Sequence, residues 1–135
     1  MTQEQLSKSA LLVIGDYKWQ TTLSSFLMEG GYDPTKADNL HDAYLRSLVK
    51  GFDLYVVGGN GAIIPGTDMN IGSPLDFYEK INGRGNPHAI IVSQGSDSEL
   101  EERCNMMGIK FMDLGTGEMP DFERVMEFIE YLKTL

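Results

Sequence analysis

The chain has 135 residues, the length of one compact domain able to bury its own core, and 11 basic against 20 acidic side chains give a formal net charge of −9. That charge repels nucleic-acid backbones and anionic membrane surfaces, and the single Cys104 excludes an internal disulfide and fits a reducing compartment. With no apolar run near the ~20 residues a membrane span needs, and a polar start MTQEQLSKSA unlike a signal peptide, the expectation is one soluble cytoplasmic domain with a loose tail at residues 1–8.

The apolar run ALLVI at 10–14, stopped by Gly15, predicts a first strand buried on both faces. Trp19, Leu23, Phe26 and Leu27 then recur at helical spacing, and Gly30 and Gly31 stop that helix. Residues 32–37 include Pro34, which lacks the backbone donor a central strand needs, so they read as an edge strand. Asn39 can cap a second helix that turns Leu40, Ala43, Tyr44 and Leu48 inward and ends near Gly51. Residues 53–57 form the third strand, apolar after Asp53, and GGNGAIIPGTDMNIG at 58–72 follows as a long irregular loop. Loops of that length are uncommon in compact domains and hint at function.

Ser73 as a cap and Pro74 in the first turn open a third helix to about residue 81. Residues 88–92 read as the fourth strand. A helix over 96–107 carries Leu100, Cys104 and Met107 on one face and closes at Gly108. Residues 109–114 form the fifth strand. The last helix, 120–135, is strongly periodic, with Phe122, Val125, Met126, Ile129 and Leu132 inward. Strand and helix thus alternate five times, which predicts a doubly wound α/β domain, a (βα)5 parallel sheet covered on both faces. In such folds the working crevice lies beyond the carboxyl ends of the strands. The positions there are Gly15 and Asp16, Gly58 to Asn60, Ser93 and Gln94, and Leu114 and Gly115.

Four phrases occur in order: LLVIGD at 11–16, MEGGYDPTKADNLHDAY at 28–44, GFDLYVV at 51–57 and HAIIVSQG at 88–95. Together they resemble the receiver domain of two-component response regulators, the CheY-like family, over nearly the whole chain from Leu11. The resemblance implies a flavodoxin-like sheet of strand order 2-1-3-4-5. It also implies a family chemistry, acyl-phosphate formation on an aspartate ending the third strand. Two acids after the first strand hold Mg²⁺, while a hydroxyl after the fourth and a lysine after the fifth grip the phosphoryl oxygens. A hard cation wants carboxylate oxygens, and developing phosphoryl charge wants a cation and donors.

Position by position, the resemblance sets Gly15 and Asp16 at the acidic pair, Gly58 at the phosphoacceptor, Ser93 at the hydroxyl and Leu114 at the lysine. Phe111 falls at the switching aromatic. Three of the five groups are lost, so the chain reads as a degenerate pseudo-receiver, not an enzyme, with no cofactor and at most a weak Mg²⁺ site at Asp16. No acid between Asp53 and Asp68 could substitute, and Asp53 opens its strand at the opposite end of the sheet.

Plainer roles stand beside these. Asp16 can cap the first helix, Ser93 can be an ordinary strand-end hydroxyl, and Phe111 can be half-buried packing. His41 and His88 have no ligand neighbours at metal spacing, and Cys104 has no base to activate it. The glycine-rich loop matches no phosphate-binding pattern; Ile63 and Ile64 could instead fill the vacated pocket. The reading is a signalling domain that acts by phosphorylation-independent protein contact. In the resembling family the output face is helix four, strand five and helix five, which here offers Glu99, Arg103, Met106, Lys110 and Met112. Its partner would be a histidine kinase or another signalling protein, with a homodimer through the same face as an option and no direct nucleic-acid or membrane contact. The alternative is a small-ligand or nucleotide sensor using the pocket beyond Gly15, Gly58 and Ser93. A flavodoxin-like enzyme fits less well, because Thr21 and Thr22 come too late for a phosphate loop.

Overall fold

The computed structural model describes residues 8–14, 17–37, 39–58, 62–63, 70–71, 74–82, 88–93, 97–115 and 122–135. In chain order they form β1 (Lys8–Val13), α1 (Tyr17–Glu29), β2 (Tyr32–Ala37), α2 (Leu40–Val49), β3 (Leu54–Val57), β4 (Ala62–Ile63), β5 (Asn70–Ile71), α3 (Pro74–Asn82), β6 (His88–Ser93), α4 (Ser98–Met107), β7 (Lys110–Asp113) and α5 (Phe122–Leu132). The long strands make one parallel sheet in the order β2-β1-β3-β6-β7. Counting only those five strands, this is the 2-1-3-4-5 order and the doubly wound fold expected.

The sheet is apolar on both faces because alternate residues of each strand enter different layers. Leu12, Leu54, Val56, Ile90, Val92 and Met112 pack with Trp19, Leu23 and Leu27 of α1 and Val125, Phe128 and Leu132 of α5. Leu11, Val13, Tyr55, Val57 and Ile91 pack with Leu40 and Ala43 of α2, Phe77 and Ile81 of α3 and Cys104 of α4. Each buried side chain of leucine size stabilises the fold by about 1.5–3 kcal/mol, so these two layers dominate stability. Pro34 sits in edge strand β2, which among the described residues pairs with β1 alone.

Local chemistry sets the helix ends. Asp42 N–H donates to Asn39 Oδ1 at 2.8 Å, and Leu100 N–H to Asp97 Oδ1 at 3.1 Å. The second cap starts α4 at Ser98, two residues later than the periodicity suggests. Four residues expected inward point outward: Leu48 is 48 % exposed, Met107 40 %, Phe122 75 % and Met126 37 %. In α2 the inward row is Leu40, Ala43 and Ser47. The Ser47 hydroxyl donates to Tyr44 C=O at 2.7 Å, so a polar residue occupies the core position and Leu48 turns away. In α5 the row Val125, Phe128, Leu132 takes the core, leaving Phe122 and Met126 on a flank.

Within 58–72, Ala62 and Ile63 pair antiparallel with Ile71 and Asn70. Two-residue strands between glycines carry no periodicity, so this ribbon is invisible to pattern reading. Of the tail expected at 1–8, Lys8 instead opens β1, in register with Tyr32 of β2, while residues 1–7, the Ser73 cap and Ile64 lie outside the described residues. Among the described residues no helix is long and apolar enough to cross a membrane.

Candidate functional site

The carboxyl ends of the strands meet at one edge of the sheet. Gly58 N–H donates to Val13 C=O at 2.7 Å, and Leu114 N–H to Ser93 C=O at 2.7 Å. These bonds bring Gly58, Ser93 and Leu114 to a common edge, as the topology predicts. Gly15 and Asp16 follow Ile14 there in sequence but lie outside the described residues, as do Gly59, Asn60 and Gln94.

Gly58 continues β3, so by alternation a side chain there would point the way Leu54 and Val56 do, toward α1 and α5. A Cβ built on it would stand 2.5 Å from Val92 Cγ2 and 3.0 Å from Val92 O. Glycine lets β3 and β6 close onto each other, and Val92 occupies the place where a Cβ at 58 would stand. The other strand ends are equally dry. Ile14 is 4 % exposed, Val92 and Leu114 2 %, and all three belong to one apolar cluster with Trp19. Leu114 is therefore core, with no donor or charge to offer an anion. Ser93 is half-buried at the end of β6.

Asp53 is tied at the far end of the sheet. Ser9 N–H donates to its Oδ2 at 2.8 Å, and Asp53 N–H donates to Ser9 C=O at 2.9 Å. Burial raises the pKa of the neighbouring Tyr32 phenol above its usual value, and the Asp53 charge adds to the effect.

Beyond β7 the chain makes a turn that the sequence reading missed. Gly115, at φ +83°, donates its N–H to Asp113 Oδ1 at 2.7 Å. Arg124 of α5 donates from Nη1 to Asp113 C=O and lies 3.7 Å from Asp113 Oδ1. A cation thus stands beside the strand end after all, delivered from α5 and engaged by Asp113. The Asp-x-Gly spacing could have signalled the turn. Nothing local could have signalled an arginine from the next helix.

The α4–β7–α5 side carries a groove of about 450 Å³ lined by Glu101, Asn105, Lys110, Phe111, Glu127 and Tyr131, among others. Lys110 Nζ lies 3.2 Å from Glu127 Oε1 and 5.5 Å from the Tyr131 ring centroid. Phe111 is half-buried against the α2–α4 layer. Glu99 and Arg103 are exposed, and Met106 is 81 % exposed. Met112 does not belong with them: it is 1 % exposed, because β7 carries it from the Lys110 edge inward into the layer beneath α1 and α5.

Cys104 is fully buried, and burial pushes its thiol up to about 11, so the thiolate is scarce at neutral pH. Among the described residues no group of three or more His, Cys, Asp or Glu side chains could hold a metal ion.

No protein-family model and no curated protein sequence matches the chain. Its fold does match solved structures. The non-phosphorylated HemR receiver domain from Leptospira biflexa superposes with a TM-score of 0.68 at 20% identity, covering 95% of this chain and 93% of that one. An orphan response regulator of H. pylori gives 0.70 at 14% identity, and a Francisella response-regulator receiver domain 0.66 at 15%, each covering 95% of both chains. At these identities the likeness establishes the fold, that of CheY-like receiver domains.

Proposed function

We propose that this chain is a signalling domain on a receiver fold that acts without phosphorylation, through contacts with another protein. The observation that carries the reading is the packing of Gly58 on Val92, which leaves no side chain and no space where the receiver phosphoacceptor belongs. The burial of Leu114 supports it, because the position of the gripping lysine is part of the core. On this reading the protein is not an enzyme and needs neither Mg²⁺ nor another cofactor. It works in the cytoplasm on a histidine kinase or another signalling protein, through the α4–β7–α5 side, where Glu99, Arg103 and Met106 are exposed on α4 and Glu101, Asn105, Lys110, Glu127 and Tyr131 line the groove. A partner shifts the domain between conformations only by its differential affinity for them.

The test is incubation with acetyl phosphate and Mg²⁺, and separately with BeF₃⁻ and Mg²⁺, read by intact mass and by amide chemical shifts. Unchanged mass and unchanged shifts are expected. A stoichiometric phosphoryl adduct would overturn the reading, and a nucleotide that raises Tm by several degrees would favour the ligand-sensor alternative.

A further inference from the structure

The outer face of α2 is apolar. Leu45 is 46 % exposed, Leu48 48 % and Val49 88 %, and their spacing of three and four sets them on one stripe. The opposite row of Leu40, Ala43 and Ser47 carries the packing of α2 on β1, β2 and α3. The stripe is therefore surplus to the fold, and water contact with three aliphatic side chains is unfavourable.

Charge selects the occupant. The chain carries −9, so a second copy is repelled wherever acidic surfaces meet. The α4 and α5 helices expose Glu99, Glu101, Glu102, Glu123, Glu127 and Glu130, and self-association there would stack like charges. The α2 face is close to neutral. Asp42 accepts from Arg46 at 3.2 Å, and Lys50, whose ammonium lies over the Phe52 ring, follows the carboxyl end of the helix. An acidic residue at the start of α2 and a basic one just past its end make the helix self-complementary when two copies run antiparallel. The N-terminal Asp42 of each then lies toward the C-terminal Lys50 of the other, and the helix dipoles oppose favourably.

We propose that the α2 stripe is the seam of a homodimer in which two copies pack α2 antiparallel about a two-fold axis, burying Leu45, Leu48 and Val49. A two-fold contact closes on itself, so association stops at the dimer. One helix stripe supplies only the centre of an interface of about 1,000 Å², so the dimer is weak, with a Kd on the order of micromolar or above. The dimer would leave both α4–β7–α5 faces open and make the domain bivalent for its partner.

Sedimentation of the purified chain from about 1 μM to 1 mM at roughly 0.15 M salt tests this, since those bounds bracket a weak dimer and screen long-range repulsion. A concentration-dependent shift from monomer to dimer is expected. Leu48→Glu and Val49→Glu should each raise Kd at least about tenfold, because a carboxylate would be desolvated in the seam. Val49→Ser should weaken association in the same direction without adding charge, and its high exposure makes a folding defect an implausible cause; circular dichroism melts verify this for each variant. Met106→Glu on α4 should leave Kd unchanged. A monomer at every concentration, a dimer indifferent to the α2 variants, or a dimer broken by Met106→Glu would each overturn the proposal.

Discussion

Gly58 and Val92 are packed so tightly that a Cβ on the glycine would stand 2.5 Å from Val92 Cγ2. Any side chain at 58 must therefore displace Val92 or spread β3 from β6. Gly58→Ala is expected to destabilise the fold by about 1–3 kcal/mol, the usual cost of overpacking a core. Gly58→Asp should cost at least as much, since it also pushes a carboxylate toward an apolar layer. In a double-mutant cycle by urea denaturation, Val92→Ala should relieve part of the Gly58→Ala penalty, by about 0.5 kcal/mol or more. Relief stays partial because Val92 O remains 3.0 Å away. Strictly additive effects would show that the steric conflict is absent.

Leu114 makes the companion case. Its side chain is 2 % exposed within the α1–α5 layer. Leu114→Lys puts back the residue type the receiver pattern asks for, yet it removes a buried aliphatic and asks an ammonium to leave water. A loss of about 2–5 kcal/mol is expected in urea denaturation. The same substitution at exposed Met106 should change stability by less than about 0.5 kcal/mol, which separates burial from charge as the cause.

Much of this arrangement is legible in the sequence, because it rests on local patterns. The runs at 10–14 and 89–92 are apolar without interruption, as strands buried on both faces must be, and Pro34 marks its strand as an edge. Gly58 and Leu114 could be placed at the carboxyl ends of their strands from the pattern alone. That Gly58 is also a point of close approach depends on the gap between two strands, which no single-strand pattern encodes. Met112 shows the same limit. It lies two residues from Lys110 on the same strand, but whether such a position is rim or core depends on where α5 crosses β7. Ser47 defeats apolar periodicity outright, since its hydroxyl finds a carbonyl within its own helix and lets a polar residue enter the core.

At the other end of the sheet, Asp53 fastens β1 through the Ser9 N–H at 2.8 Å. Asp53→Ala should destabilise the fold by about 1–2 kcal/mol, because a strand-end donor then has to be satisfied by water. It should also bring the Tyr32 phenol down toward its ordinary pKa, since the smaller of the two causes that raise it is the Asp53 charge. Burial, the larger cause, remains, so the shift back is incomplete. Tyrosinate absorbance during an alkaline titration reads both parts. An unchanged Tyr32 titration would show that the two groups do not interact.

Cys104 supplies a pH dependence whose sign is fixed by its burial. Removal from water pushes the thiol from about 9 up to about 11, opposed by Arg103 and reinforced by Asp97 and Glu101. The folded chain holds this proton more tightly than the unfolded one, so the contribution to stability is fully present below about pH 9. Above that, the unfolded thiol ionises first, and stability falls as pH rises toward about 11. Cys104→Val keeps an apolar side chain of similar size without a titrating group. The difference in denaturation free energy between the wild type and Cys104→Val should be constant up to about pH 9 and then move against the wild type over the next two units. Tyr32 ionises in both proteins, so it cancels from the comparison. A constant difference throughout would show that the thiol titrates alike folded and unfolded. Fast labelling of native Cys104 by a thiol reagent at neutral pH would contradict its burial.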